Sequence, residues 1–180
     1  MSIVLIIIIL VAMWGVSTYN SLIVLRGRVD NSWAQIDVQL KRRFDLIPNL
    51  VSSVKGYAQH EKETLEEVTA SRTKYLSAKT PEDKLGANSE LSGALSRLFA
   101  VAENYPDLKA STNFLDLQTQ LKDTEDKISY SRQFYNDTAM KFNIAIVKVP
   151  TSIIAGLFGF KDRPYFKTEG EERENVEVKF

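Results

Sequence analysis

Residues 3–25 carry no charge, and within them residues 3–16 read IVLIIIILVAMWGV; the first charged side chain is Arg26. A helix needs ~20 apolar residues to cross a bilayer, so this run is long enough. The competing reading is a secretory signal peptide. Its features are missing, because no positive n-region precedes the run, no small-x-small cleavage site follows it, and no cysteine exists to accept a lipid. An uncleaved membrane anchor is therefore expected, with Trp14 and Tyr19 suited to the interfacial belt. Arg26, Arg28, Lys41, Arg42 and Arg43 all follow the run. The positive-inside rule then predicts a single pass through the cell inner membrane, the N-terminus outside and the remainder cytoplasmic.

The 180 residues suffice for one domain with a core, and the 23 basic residues balance the 23 acidic ones. No global field points to nucleic acid, so a partner must be recognised by local patches. Cysteine is absent and histidine occurs once, which excludes disulfide frameworks, thiol catalysis and thiolate metal sites.

After the apolar run, Leu22, Leu25, Val29, Trp33, Ile36, Leu40, Phe44 and Ile47 recur at helical spacing, predicting one buried stripe. With only Arg26 and Arg28 intervening, the anchor is expected to continue directly into this helix. Pro48 then interrupts the pattern at a cost of about 3 kcal/mol in a helix interior. The stripe keeps its phase through Val51 and Val54, so a kink and a turn are both open. A turn is favoured, with Asp45 as the cap of a new helix and the Lys41, Arg42, Arg43 triplet at the end of the old one. Two antiparallel segments would then bury each other's stripes. The other use of the triplet is contact with lipid phosphate or an acidic partner. Some ~30 Å of helix would separate it from the bilayer, which argues against lipid.

A second segment is expected to about Ala78. Thr80, Pro81, Glu82 and Asp83 supply a cap, a first-turn proline and acidic first-turn residues for the next helix, which Asn104 to Asp107 close. The last helix follows Ser111 or Thr112. It carries Phe114, Leu117, Leu121, Thr124, Ile128, Ser131, Tyr135, Thr138, Phe142, Ala145 and Val149 in an unbroken heptad, and Pro150 ends it. The small polar members of that seam suit the close approach of another helix.

Residues 153–166, IIAGLFGFKDRPYF, are too short to span a bilayer and too aromatic for an ordinary loop. Such a hook has three uses: capping the open end of the bundle, which is favoured, docking a partner, or resting in the lipid interface. The polar residues 167–180 read as a mobile tail. The expected division is thus 1–25 anchor, 26–149 helical bundle, 150–166 hook and 167–180 tail.

Catalytic patterns fail on inspection. His60-Glu61 has Thr64 where a zinc-binding H-E-x-x-H needs its second histidine, and no phosphate loop, dinucleotide fingerprint or nucleophile elbow occurs. Glu61, Glu63, Glu66 and Glu67 read as a solvated face, since a ferritin-like site needs two histidines. Asn136-Asp-Thr138 matches a glycosylation sequon, but its mid-helix position favours chance. No catalytic residue, metal or cofactor is expected.

Three blocks carry a resemblance: VDNSWAQIDVQLKRRFDLIPNLVSSVKGYAQHE (residues 29–61), SRQFYND (131–137) and IIAGLFGFKDRPYF (153–166). In this order they resemble the LemA family of bacterial proteins. The resemblance implies an all-α protein, in which one N-terminal transmembrane helix continues into an antiparallel up-and-down bundle of three to four long helices. It supplies no reaction; family members are associated with membrane metalloproteases and magnetosome membrane organisation, which implies a scaffold or adaptor. Positions matching its motifs are Asp37, Arg43, Asp45, Pro48, Asn49 and Tyr57, with Gly156, Phe158, Gly159, Phe160, Arg163, Pro164, Tyr165 and Phe166 in the hook. With Arg42 added from its charge and the two glycines set aside, these form the candidate interaction set. The expectation is a non-enzymatic scaffold that self-associates and contacts another membrane protein. The alternative is a sensor whose bundle binds a small ligand and signals through the first helix, which requires an internal pocket with convergent polar groups.

Overall fold

The computed structural model describes residues 1–58 and 60–166; the expected mobile tail lies outside them. Every regular element among the described residues is helical: α1 (Ser2–Lys55), α2 (Lys62–Ser77), α3 (Pro81–Ala102), α4 (Pro106–Lys109), α5 (Thr112–Val147) and α6 (Thr151–Leu157). They group into two compact units. One comprises residues 1–35 with the described part of 130–180, and the other is Ile36–Ser129.

The expected turn at Pro48 is absent. α1 continues through the proline to Lys55, so the Lys41–Arg43 triplet lies inside a helix, and Asp45 caps nothing but pairs with Lys41 one turn back at 2.6 Å. Packing explains the outcome. Ile47, Leu50 and Val54 are at most 1% exposed on either side of the proline, and burial of each contributes about 2 kcal/mol, together more than the lost backbone bond costs. Pro48 itself faces solvent. The helix ends instead at Gly56 and Tyr57, where both the Tyr57 and Ala58 amides turn back to the Val54 carbonyl.

In the second unit Ile36, Leu40, Phe44, Ile47 and Leu50 of α1 are buried, as are Leu65 and Val68 of α2, Leu91 and Leu98 of α3, and Leu121 and Ile128 of α5. Phe44 stacks on Tyr75, ring centroids 4.1 Å apart. The Thr80–Pro81 start is as expected: Thr80 Oγ1 accepts the Asp83 amide at 3.1 Å and Pro81 opens α3.

In the first unit Leu22, Val29 and Ser32 of α1 are buried, as are Tyr135, Thr138, Ala139 and Phe142 of α5. The Ser32 and Thr138 hydroxyls lie 3.4 Å apart, each donating to the carbonyl one turn back in its own helix, Ser32 to Arg28 at 2.7 Å and Thr138 to Phe134 at 2.8 Å. At Thr138 the small polar seam of α5 thus meets the chain's own α1. Before this packed region, residues 1–14 are exposed on every side, and α1 contains a segment long and apolar enough to cross a membrane. After α5 the chain turns through 93° into α6, then leaves helix altogether. Gly159 adopts φ 67° there, the left-handed backbone that other residues resist.

Because α1 accommodates Pro48 rather than exploiting it, Pro48→Ala restores one helical hydrogen bond. Thermal unfolding followed by circular dichroism is expected to shift upward, by the equivalent of about 1–3 kcal/mol. A downward shift would mean that the proline is structurally required.

Candidate interaction site

An extended segment packed on helices has no ladder partner, so its amides and carbonyls need side chains or water. In residues 160–166 the Phe160 amide returns to the Ala155 carbonyl at the end of α6, and two asparagines of α5 serve Arg163 and Phe166. Asn143 accepts the Arg163 amide at Oδ1 and donates from Nδ2 to the Arg163 carbonyl, both at 2.8 Å. Asn136 does the same with Phe166, both at 2.9 Å. The spacing is commensurate: seven residues of helix rise ~10.5 Å, and three extended residues cover ~10 Å. Tyr135 adds a donated bond from its hydroxyl to the Pro164 carbonyl at 3.2 Å.

Side chains supply the rest. Phe166 lies between Trp33 of α1 and Tyr135 of α5, at centroid distances of 5.7 and 4.5 Å. Phe160 sits edge-on to Phe142 and Tyr19, under the Arg26 guanidinium at 5.5 Å. Arg163 reaches across to Asp30 at 2.8 Å. Residues 160–166 thus form a strap lying lengthwise on α1 and α5, held by backbone recognition and by anchors at Phe160, Arg163 and Phe166. Of the three uses foreseen for the hook, this strap is folded against its own chain, whereas Phe158, although 4.6 Å from the Tyr19 ring, stays 57% exposed. Tyr165 also faces outward.

A second polar centre is buried in the other unit. Arg43 is 4% exposed; its Nη1 donates to Asn88 Oδ1 at 2.5 Å and Ser92 Oγ at 3.1 Å and pairs with Glu125. Burial pulls the guanidinium below its ordinary pKa, and the adjacent Glu125 carboxylate pulls it back. Nearby, Asp37 pairs with Lys84 at 2.5 Å. Burial, the negative charges of Asp37 and Asp45, and a hydrogen bond to Asp37 push the Tyr75 phenol up to about 12.

The first block of candidate residues is therefore divided. Arg43 is buried and Asp37 is half-buried in its pair with Lys84, while Arg42, Asp45, Pro48, Asn49 and Tyr57 are exposed. Sequence reasoning missed Asn88, Glu125, Asn136 and Asn143. A signal existed for Arg43, which stands three residues after Leu40 and four before Ile47, within the apolar register. The asparagines offered only their seven-residue spacing.

A family model described as the LemA family matches residues 32–180. Among curated relatives, the magnetosome protein MamQ of Magnetospirillum gryphiswaldense is 38% identical over 82 residues, 46% of this chain and 30% of that protein. MamQ 2 of Paramagnetospirillum magneticum is 27% identical over 175 residues, 83% of this chain and 64% of that one. Protein LemA of Metamycoplasma hominis is 29% identical over 163 residues, covering 88% and 73%. The match thus spans less than two thirds of the length of these magnetosome relatives.

Two measurements follow from the geometry. Asn143→Ala removes both bonds to Arg163, each worth about 1 kcal/mol. Exchange of the Arg163 amide hydrogen is expected to accelerate at least about ten-fold, with the Arg43 region unchanged; an unaltered rate would show that the asparagine does not hold the strap. For Tyr75 the sign is set by its raised pKa. The phenol is protonated in both states below about pH 10; above it the unfolded chain ionises first, so stability falls between roughly pH 10 and the folded value of about 12. Denaturant midpoints measured across that range should decline less steeply for Tyr75→Phe than for the unaltered chain.

Proposed function

Given that the chain belongs to the LemA family, we propose that it is a membrane-anchored, non-enzymatic adaptor that self-associates and contacts another membrane protein. The observation that carries this reading is α1, which passes without a break from an exposed apolar run into the buried stripe of a helical fold. Such a helix fixes a folded surface to a bilayer with no flexible linker. Contact surface is available outside the α5 seam. Tyr130 and Phe134, one turn apart on α5, are 72% and 47% exposed, and aromatic side chains of this kind are the usual anchors of protein interfaces. Two of the relatives are named as magnetosome proteins, which supports a membrane-associated role. Placement in the inner membrane with the helical fold cytoplasmic belongs to the same reading and rests on the cations that follow the apolar run.

In mild detergent the purified chain is expected to scatter light as an oligomer. Photo-cross-linkers at Tyr130 and Arg42 are expected to trap, in cells, discrete adducts that include a second copy and a membrane protein. A strictly monomeric chain with no adducts at either position overturns the proposal. A reporter fused after Phe180 should be active in the form that reports the cytoplasm.

A further inference from the structure

We propose that α6, with the end of α5, is a second membrane-inserting element, seated beneath the headgroup layer beside the N-terminal helix. This rests on the reading of residues 3–25 as the span. A span of ~20 residues placed anywhere within that charge-free run includes Gly15 and Tyr19, and these are the positions against which α6 packs. A Cβ built on Gly15 lies 3.7 Å from Ile154 Cδ1, and the Phe158 ring lies 4.6 Å from that of Tyr19. Gly15 precedes Arg26, the first cation, by ~16 Å of helix rise. The headgroup layer on one side of a bilayer is ~5–7 Å thick. If Arg26 marks its outer edge, α6 sits beneath that layer rather than above it.

The outward surface at this level is apolar. Val147, Val149, Ile153, Leu157 and Phe158 are 57–76% exposed, while Ile154 and Ala155 face the protein. The chain carries no acidic residue between Asp137 and Asp162, only Lys141, Lys148 and Lys161. Leucine, isoleucine and phenylalanine flanked by lysines on long stems is the composition of a segment that buries its apolar side and extends its cations to lipid phosphate. Beyond Gly159 the chain reverses character. Phe160 turns inward under Arg26, and Arg163 pairs with Asp30. The occupant of this surface is therefore lipid with anionic headgroups, not the bundle and not a protein.

The absence of cysteine makes the test direct. Single cysteines at Val11, Leu157, Ile153 and Asp162 of the full chain are spin-labelled and reconstituted in vesicles of phosphatidylethanolamine and phosphatidylglycerol. Collisions with oxygen and with a water-soluble nickel chelate are then compared. Labels at Leu157 and Ile153 are expected to match Val11, relaxed by oxygen and shielded from nickel, with Asp162 exposed to nickel. If Val11 is shielded while Leu157 and Ile153 are as nickel-accessible as Asp162, the inference is overturned and the span stands. Nickel access at Val11 itself overturns the span and the inference with it.

Discussion

A backbone that leaves helix without entering a sheet must still satisfy its amides and carbonyls, and in the first unit that requirement decides the architecture. Residues 160–166 stay extended because two asparagines at a helical spacing match three residues of extended chain. Amide side chains do this well, since each offers a donor and an acceptor in one plane. Recognition of this type reads main chain and is indifferent to sequence; direction and register come from the aromatic anchors and from the Arg163–Asp30 pair. The two asparagines thus convert a helical face into a track.

Arg43 poses the opposite problem in the second unit. A guanidinium at an apolar position costs desolvation that a single partner rarely offsets, and here it is met by an amide, a hydroxyl and a carboxylate. Those groups come from α3 and α5, so three helices are tied to one side chain. A hydrophobic substitute would pack there but would not dictate which polar residues face it. That specificity is what a buried charge contributes when its stabilising effect is small.

How much of this was legible depended on whether the deciding interaction was local. The apolar run, the Thr80–Pro81 start and the long repeat of α5 rest on periodicity and capping, and all were visible. Pro48 was misjudged because its local cost is explicit in sequence, whereas the burial of Ile47, Leu50 and Val54 that outweighs it depends on other helices. Arg42 and Arg43 are adjacent cations, yet ~100° of helical rotation sends one to solvent and the other into the core. Asn136 and Asn143 were opaque for a different reason. An asparagine on a polar face looks the same whether it meets water or a distant stretch of backbone.

The first unit draws its parts from both ends of the chain: Asp30 and Arg163, paired in the folded protein, are 133 positions apart. During synthesis the first part of α1 emerges long before its packing partners on α5 exist. The buried face formed by Leu22, Val29 and Ser32 must therefore wait, uncovered, while the remainder is translated. Closing so distant a contact carries a large loop entropy, and it comes last. The second unit, whose residues are consecutive, has no such delay and can consolidate first. The strap then acts as a late latch, so that the first unit is completed only once residues 160–166 have been made.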